Sequence, residues 1–253
     1  MSSTYDFTGK TVLVTGGTRG IGAALVRAFH RAGAGVILTG TSAEGIRRAQ
    51  ESHRAEGMRG IECWPADFGD PGSLDAFLDR AAGLPSLDAC VNNAGINRNN
   101  PLPQIQRADL DRILQVNLRA PMLICQALGP VMARNPGGGR IVNICSIWSL
   151  IAKHGRSVYG TTKAGLASFT RHIAVDLAPH GILVNSLSPG FTLTELTESM
   201  LTPEEIAALA AQVPLGRIAD PMEMAQAVLF LCSDLNTFIT GQNIVVDGGF
   251  TIV

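Results

Sequence analysis

Short apolar segments alternate with longer amphipathic stretches along the whole chain. The apolar segments are rich in Val, Ile and Leu and are typical of buried strands, whereas the stretches between them repeat apolar residues at helical spacing. Strands that alternate with helices form right-handed βαβ crossovers, so the pattern predicts an α/β fold with a doubly wound parallel sheet and helices on both faces. We predict about six helices and about seven strands, the strands at residues 12–14, 35–39, 61–64, 87–91, 140–145, 183–187 and 244–246.

One segment, residues 194–215, interrupts this alternation. It is predicted to be helical, and Pro189 and Pro221 bracket it. A helical insertion above the carboxyl ends of the strands is where an α/β fold would place a substrate lid. Because no repeat, low-complexity tract or linker divides the chain, we predict one domain over residues 1–253 that carries this lid.

Composition and charge narrow the class of protein. Charged residues make up 16% and hydrophobic residues 46% of the chain, which favours a sheet covered on both faces and further apolar area buried between subunits. A net charge of −1 without a basic run argues against nucleic acid or an anionic membrane as a partner. Residues 1–9 lack a signal-peptide pattern, and no apolar run reaches the roughly 18 residues that span a bilayer. We therefore expect a soluble cytoplasmic protein.

The five cysteines lie far apart in the sequence, without a C-x-x-C motif or a nearby histidine. This spacing predicts neither a metal site nor a disulfide framework, and it suits a reducing compartment. Cys145 precedes a candidate catalytic residue, but it should point to the opposite side of its strand and pack in the core.

The first predicted strand runs directly into a glycine-rich turn and then into a helix. Gly16 allows a sharp turn out of the strand, Gly20 lets the backbone approach a pyrophosphate, and Gly22 lets the helix pack closely on the sheet. The helix N-terminus adds free N–H groups and a positive dipole end. The turn therefore predicts a nucleotide site, although ordinary βα connections can also be glycine-rich.

Three side chains of complementary chemistry lie beyond the middle of the chain. Tyr159 and Lys163 are four residues apart on a helix predicted over residues 158–177, so they share one helix face. An ammonium group beside a phenol favours the phenolate form, which suits a side chain that transfers protons near neutral pH. Ser146 ends a predicted strand, where its hydroxyl can point at a carbonyl oxygen. Together they predict a proton donor, a cation that favours the deprotonated form of that donor, and a hydroxyl group that binds a substrate carbonyl.

These motifs together resemble the short-chain dehydrogenase/reductase family over essentially the full length of the chain. The matching residues are Thr15-Gly16-x-x-x-Gly20-x-Gly22, Asn92-Asn93-Ala94-Gly95, Asn117, Ser146, Tyr159-x-x-x-Lys163, Ser188-Pro189-Gly190 and the ending Gln242-Asn243-Ile244-Val245-Val246-Asp247-Gly248-Gly249. The chain is most similar to the branch that contains 3-oxoacyl-(acyl-carrier-protein) reductases. The resemblance implies a Rossmann fold and an NAD(P)H-dependent oxidoreductase that reduces a ketone to a secondary alcohol by hydride transfer.

The resemblance also implies roles for individual residues. Tyr159 would be the acid and base, Lys163 its partner and a ribose ligand, Ser146 the stabiliser of the substrate carbonyl, and Asn117 the holder of a proton-relay water. The implied cofactor-binding residues are Gly16, Thr18, Arg19, Gly20, Ile21, Gly22, Thr41, Ser42, Asp67, Phe68, Asn93, Ala94, Gly95, Tyr159, Lys163, Pro189, Gly190 and Thr192.

Pro121 supports the role of Asn117 independently. It lies four residues after Asn117 on the same predicted helix, and it has no N–H group. The main-chain carbonyl of Asn117 is therefore expected to lack its helical partner, which leaves it free to bind the water. A plain proline kink is the alternative.

The residues after the second predicted strand favour NADP(H) over NAD(H). Family members that prefer NAD carry an acidic residue there, which binds the ribose 2′-hydroxyl. This chain has Gly40, Thr41 and Ser42 instead, and Arg19 stands in the glycine-rich turn, so an arginine and two hydroxyl groups can bind a 2′-phosphate. NAD(H) stays possible, because Arg19 could be a solvated loop residue and the hydroxyl groups could only cap the next helix.

Apolar residues around the catalytic positions predict a substrate pocket that accepts a small-molecule ketone with hydrophobic flanks. The predicted pocket residues are Ser146, Trp148, Tyr159, Phe191 and Leu196. Gly137 and His180 stand where the acyl-carrier-protein reductases of this branch have the arginines that dock the carrier, which puts dependence on a carrier protein in doubt. A free or CoA-linked ketone, a cyclic ketone and a sugar derivative stay open.

Two other functions share parts of this pattern. An NAD-linked secondary-alcohol or sugar-type dehydrogenase would use the same site in the oxidative direction. A non-catalytic NADPH-binding scaffold would use the same fold, since a fold alone does not determine a function. Intact Ser146, Tyr159 and Lys163 argue against the scaffold, which has no need of an activated phenol.

Apolar residues outside the site predict an assembly. Leu166, Phe169, Ile173 and Leu177 extend around the helix at residues 158–177, and the chain ends in Phe250-Thr251-Ile252-Val253. A monomer would be expected to present a polar outer face. In the proteins that the chain resembles, this helix and the carboxyl terminus lie at subunit contacts, so the resemblance implies a homotetramer with two-fold axes. The alternative is that these residues are all ordinary core.

Overall fold

The computed structural model describes residues 5–253, apart from the side chains at positions 196, 198 and 200. One seven-stranded sheet runs through it, with every neighbouring pair parallel and the order β3-β2-β1-β4-β5-β6-β7. The strands are β1 (Thr11–Val14), β2 (Gly35–Gly40), β3 (Ile61–Pro65), β4 (Ala89–Asn92), β5 (Arg140–Ile144), β6 (Leu183–Pro189) and β7 (Asn243–Val246). The predicted parallel sheet is confirmed, and strand ends differ from the prediction by at most two residues.

Nine α-helices form the six crossovers within the described residues. They are α1 (Gly20–Arg31), α2 (Ala43–Ala55), α3 (Pro71–Ala82), α4 (Arg107–Leu114), α5 (Ala120–Met132), α6 (Ser157–Leu177), α7 (Glu195–Met200), α8 (Pro203–Ala210) and α9 (Pro221–Cys232). The count exceeds the predicted six because a π-helical turn, Gln115–Arg119, separates α4 from α5, and the predicted lid segment holds α7 and α8. Whether that segment acts as a lid on a single domain stays a prediction.

A separate hydrophobic core covers each face of the sheet. Along β1, Val12 and Val14 pack in the core with α1 and α9, whereas Leu13 packs in the core with α3, α5 and α6. Alternate residues of a strand point to opposite faces, so a strand buried on both faces is largely apolar along its length. This pattern explains why the continuous apolar runs of the sequence located the strands.

The strand order reverses between β1 and β4, which lie side by side in the sheet. The helical connections after β1 and after β4 run toward opposite edges of the sheet. A crevice therefore opens between them, outside the carboxyl ends of the strands. The glycine-rich turn follows β1 and the Asn93-Ala94-Gly95 segment follows β4 at this crevice.

Candidate active site

The glycine-rich turn has the conformation that its sequence predicts. Gly16 and Gly20 have φ values of +65° and +55°, in the left-handed region that favours glycine. A Cβ atom at Gly22 would overlap the main-chain oxygen of Gly16 and would lie 2.6 Å from Nδ2 of Asn93. The turn is thus a cradle of closely packed backbone at the start of α1, where free N–H groups and the helix dipole attract an anion.

Two polar side chains join this turn to the loop after β4. Oγ1 of Thr15 accepts hydrogen bonds from the main-chain N–H groups of Asn93, at 2.9 Å, and Ala94, at 3.0 Å. The side-chain Nδ2 of Asn93 donates to the main-chain oxygens of Thr15, at 2.9 Å, and Gly16, at 3.0 Å. The structure therefore brings the two predicted cofactor loops together as one unit.

Asn117 is fully buried in the π-helical turn between α4 and α5. Its Oδ1 accepts from the N–H of Ile96 and its Nδ2 donates to the carbonyl of Ile96, both at 2.8 Å. The side chain thus fixes the loop that carries Gly95. The main-chain N–H of Ala120 bonds five residues back to Gln115, as a π-helix requires. Pro121 cannot donate to the Asn117 carbonyl, and the water-binding role of that carbonyl stays a prediction.

Lys163 and Tyr159 lie one turn apart on α6. Lys163 is only 3% exposed, and its Nζ donates a 2.7 Å hydrogen bond to the carbonyl of Ile144 at the end of β5. The same Nζ is 5.8 Å from the centroid of the Tyr159 ring. A Cβ atom at Gly95 would lie 3.3 Å from this Nζ and 3.4 Å from Oδ1 of Asn117, so three of the predicted site residues meet here.

Ser146 begins the loop that faces Tyr159. Its hydroxyl accepts from the N–H of Trp148 at 3.3 Å and caps the short 3₁₀ turn Ile147–Ser149. Helix α6 approaches this turn closely, because Gly160 would place a Cβ atom only 2.9 Å from the Trp148 carbonyl. Burial raises the pKa of the neighbouring Cys145 thiol to about 11, so that thiol stays protonated at neutral pH and packs with Leu166 and Ala167.

Three aromatic rings form the mouth of the site. The ring centroids of Trp148, Phe191 and Phe250 lie 4.9 to 6.4 Å apart in edge-on arrangements. Trp148 and Phe191 were predicted at the mouth; Phe250 was expected only at a subunit contact. Phe250 follows β7, whose carboxyl end lies at the same edge of the sheet, so the strand order could have indicated it. Leu196 lies outside the described side chains.

Two cationic side chains lie against this aromatic mouth, and sequence reasoning missed both. Nζ of Lys153 is 5.4 Å from the Trp148 ring centroid, and Cζ of Arg156 is 5.8 Å from the same ring and 6.0 Å from the Tyr159 ring. Burial lowers the pKa of Arg156 from its ordinary value, while the electrostatic influence of Tyr159 acts in the opposite direction. No sequence motif marks these residues, because their ring contacts depend on the fold of the loop.

The side chains predicted to bind a 2′-phosphate lie at the end of β2 and in the first turn. Arg19 and Thr41 are exposed, and within residues 5–253 the Arg19 side chain shows no hydrogen bond or ion pair. Ser42 caps α2 by accepting from the N–H of Gly45 at 3.0 Å, as the alternative interpretation expected. That bond leaves the hydroxyl proton of Ser42 available to a ligand.

The side chains of Asp67 and Phe68, the predicted adenine-side contacts, both interact with other residues of the protein. Arg112 donates to the Asp67 carboxylate at 2.9 Å. The Phe68 side chain is 3% exposed and packs edge-on against Phe77, so only its main chain can face a nucleotide. The contact of these two residues with the adenine side of the cofactor stays a prediction, and for Phe68 it would be made by the main chain. A buried aromatic in the core of the sheet explains the apolar character of this position.

Pro189, Gly190 and Thr192 follow β6 at the same edge of the sheet. The N–H of Gly190 bonds to the Val246 carbonyl at 2.9 Å, and a Cβ atom at Gly190 would lie 2.7 Å from the main chain of Asp247. The Thr192 hydroxyl donates to the Gly190 carbonyl at 3.2 Å. This loop is thus packed against β7 and bounds the crevice on the side opposite the glycine-rich turn.

Comparison with known proteins identifies the family. A family model described as enoyl-(acyl carrier protein) reductase matches residues 16–251. The chain is 37% identical over 253 residues to gluconate 5-dehydrogenase of Gluconobacter oxydans, covering 98% of this chain and 97% of that protein. It is 39% identical over 242 residues to the 3-oxoacyl-(acyl-carrier-protein) reductase FabG of Aquifex aeolicus, covering 95% and 97%. The chain therefore belongs to the short-chain dehydrogenase/reductase family.

Solved structures agree with this assignment. A provisionally named NAD(P)-dependent gluconate 5-dehydrogenase from Beutenbergia cavernae, with NADP bound at low occupancy, superposes with a TM-score of 0.91. It is 31% identical, and the match covers 98% of this chain and 99% of that one. The protein is accordingly an NAD(P)-dependent oxidoreductase of this family. Within the described residues, no helix is long and apolar enough to cross a membrane.

Proposed function

We propose that the protein reduces a ketone to a secondary alcohol with NADP(H), and that Tyr159 supplies the proton. The observation that carries this proposal is the buried Lys163 ammonium, held by the Ile144 carbonyl and 5.8 Å from the Tyr159 ring. Burying an ammonium group without a carboxylate costs free energy, so such an arrangement is typical of a functional site. A non-catalytic scaffold gains nothing from this cost.

The backbone cradle at Gly16, Gly20 and Gly22 fits a pyrophosphate, because each of these positions excludes or disfavours a side chain. Asn93, Ala94 and Gly95 would bound the adenosine side of the crevice, and Lys163 would reach a ribose hydroxyl. The bound nicotinamide supplies the hydride that reduces the carbonyl carbon. Asp67, Pro189, Gly190 and Thr192 complete the proposed cofactor site together with Ile21 and Thr18.

The protein's own residues would perform the proton chemistry. Ser146 donates a hydrogen bond to the substrate carbonyl oxygen and orients it, and the Tyr159 hydroxyl gives its proton to that oxygen as negative charge develops there. The Lys163 ammonium stabilises the phenolate that this transfer leaves. Asn117 holds the Gly95 loop beside Lys163, and its carbonyl can bind the water that returns a proton.

Oxidation of a sugar-type alcohol is the second candidate function. The same residues serve both directions, since Tyr159 would then accept the proton from the alcohol. The relative from Gluconobacter oxydans carries the name of a gluconate 5-dehydrogenase, and the match covers 98% of this chain, which favours this candidate. The five cysteines are all unpaired, in keeping with the cytoplasmic location that we propose.

The exposed Arg19 in the glycine-rich turn and the lack of an acidic residue at the end of β2 support a preference for NADP(H). Arg19 is exposed beside the glycine-rich turn, Thr41 is exposed after β2, and neither Thr41 nor Ser42 is acidic. A guanidinium group binds a phosphate with two parallel hydrogen bonds, whereas an acidic side chain would repel it.

Initial rates of nicotinamide absorbance change test the function. We expect the wild-type protein to oxidise NADPH with ketones from a panel of 3-oxoacyl thioesters, cyclic ketones, keto acids and keto sugars. The value of kcat/KM should be higher with NADPH than with NADH, and Arg19→Ala should lower it for NADPH alone, by about tenfold. Failure with every ketone, and with the matching alcohols and NADP⁺, would contradict the proposed function.

Thr41→Asp is the matched variant that adds a carboxylate. We expect it to reduce the preference for NADPH, because the new charge repels a 2′-phosphate and can bind a ribose hydroxyl. Gly40 is less suited to this test, because a Cβ atom there would lie 2.6 Å from Cγ2 of Thr18 and would disturb the turn itself. A wild-type protein that already prefers NADH would show that the phosphate-binding role of Arg19 is wrong.

We also propose a homotetramer. An apolar groove of about 730 Å³ lies between α5 and α6 and is lined by Met122, Leu123, Phe169, Ile173 and Leu177, among others. At the carboxyl terminus, Ile252 and Val253 are 85% and 88% exposed. Two separate apolar surfaces on one chain provide the two contacts that a tetramer with two-fold symmetry requires.

Met122→Glu is expected to separate the subunits across the α5–α6 groove. Met122 is 38% exposed, so the charge disturbs the groove and leaves the core intact. Light scattering should show half the wild-type mass. Deletion of Ile252 and Val253, which spares Phe250 at the mouth, should remove the other contact and also give dimers. Ala55→Glu on α2, at the far edge of the sheet, is the control; a monomeric wild type would contradict the assembly.

A further inference from the structure

The rim of the substrate mouth carries positive charge that no carboxylate neutralises. Lys153 and Arg156 lie against the Trp148 ring, and within the described residues neither is part of an ion pair. From Arg112 to Val175 the sequence contains no Asp or Glu. The loop between Ser146 and α6 is therefore basic, because it carries Lys153 and Arg156 and no acidic residue.

Arg156 is held in place although it has no counter-ion. It follows Gly155, whose φ of +75° makes the sharp turn before α6, and its guanidinium group contacts both the Trp148 and Tyr159 rings. Cation–π contacts of this kind fix the side chain without satisfying its N–H donors. A partly buried guanidinium with free donors is the group that proteins use to bind carboxylates in a fixed orientation.

The N-terminus of α6 adds to this attraction. Helix α6 is 21 residues long, has no side-chain cap at Arg156 and has no acidic residue in its first turn. Free N–H groups and the positive end of the helix dipole therefore lie directly beside Arg156, where they favour an anion.

We propose that Arg156, assisted by Lys153, binds a carboxylate group of the substrate, so that the protein acts on keto acids or hydroxy acids. This inference rests on the proposed function, since it names the substrate class of the same site. The Arg156 Cζ atom lies 6.0 Å from the Tyr159 ring centroid, so the carboxylate and the reacting carbonyl belong to one compact molecule. The aromatic rings of Trp148, Phe191 and Phe250 enclose the carbon chain between them.

Pairs of a keto acid and its methyl ester test this assignment. We expect the wild type to reduce 4-oxopentanoate or 5-oxohexanoate with a kcat/KM about 10- to 100-fold higher than that of the matching ester, because only the acid gains charge-assisted hydrogen bonds. Arg156→Gln should raise KM for the acid until acid and ester are equal, with little change for the ester. Lys153→Gln should have a smaller effect in the same direction.

Arg171→Gln is the matched control, because Arg171 is exposed on the same helix and its loss removes the same charge. It should keep the preference for the acid. Equal kcat/KM values for acid and ester in the wild type, or a loss with Arg156→Gln that affects acid and ester alike, would overturn the inference. Lys153 and Arg156 would then only pack on the rings.

Calorimetric titration of the protein with the keto acid in the presence of NADP⁺ separates this inference from the proposed function. Arg156-dependent binding without turnover of any ketone would overturn the proposed reaction but support the carboxylate site. Turnover of esters and acids at equal rates would support the reaction and overturn the carboxylate site.

Discussion

Tyr159→Phe is expected to lower kcat by about 100- to 10,000-fold while it leaves the affinity for NADPH nearly unchanged. The variant removes one hydroxyl group, so the proton donor is lost while the ring keeps its contact with Arg156. Stopped-flow or steady-state kinetics give kcat, and fluorescence titration of NADPH gives the affinity. Retention of more than a few per cent of the wild-type kcat would show that Tyr159 is not the acid.

Lys163→Met gives the comparison that separates the two roles. It keeps the length of the side chain but removes the ammonium group, and it leaves the buried Ile144 carbonyl without its 2.7 Å partner. We expect kcat to fall and the dissociation constant of NADPH to rise as well, because Lys163 would also bind the ribose. An unchanged NADPH affinity in this variant would contradict the ribose contact.

Asn117→Ala is expected to lower the free energy of unfolding by about 2–5 kcal/mol, because the fully buried Asn117 side chain is lost and two partly buried main-chain groups of Ile96 lose their partners. For a chain of this size the loss corresponds to a fall in melting temperature of about 5–15 °C. The variant keeps the main-chain carbonyl that was predicted to hold water, so any loss of activity reports on the side-chain contacts to the Gly95 loop. Thermal unfolding and the KM for NADPH measure the two effects.

Gln115→Ala serves as the control for this prediction. Gln115 lies in the same π-helical turn and donates one 3.2 Å hydrogen bond to the Phe68 carbonyl, in a partly buried position. Its loss should cost at most about 1 kcal/mol. Equal effects of the two variants would mean that the Asn117 bonds do not stabilise the loop.

The central strands of the sheet could be predicted because they are buried on both faces. Val12, Leu13 and Val14 each pack in one core or the other, so their segment has no polar position that could be confused with an amphipathic helix. The site residues after β1, β4, β5 and β6 could be located for a related reason, since parallel strands bring their carboxyl ends to one edge.

Other features depended on contacts that a sequence pattern does not contain. The direction of the Phe68 side chain is decided by Phe77 on α3. The cations at the mouth lie against the rings of Trp148, Phe191 and Tyr159, which come from three separate parts of the chain. The π-helical turn before Pro121 holds Asn117 where its side chain bonds both backbone groups of Ile96, which is 21 residues away in the sequence. Periodicity predicts which residues are buried, but not which neighbour each of them meets.

The bonds between Thr15 and the loop after β4 also constrain how the protein acquires its site during synthesis. The partners are separated by 78 residues in the sequence, with β2, β3 and their helices between them. Closing so long a segment carries an entropic cost, which pairing of β1 with β4 and packing of both strands in the two cores offset, and parallel pairings of this kind form slowly. A nascent chain that has emerged only as far as β3 would have the glycine-rich turn without its supporting loop. The nucleotide cradle is thus a product of late folding, although most of its residues are among the first to be translated.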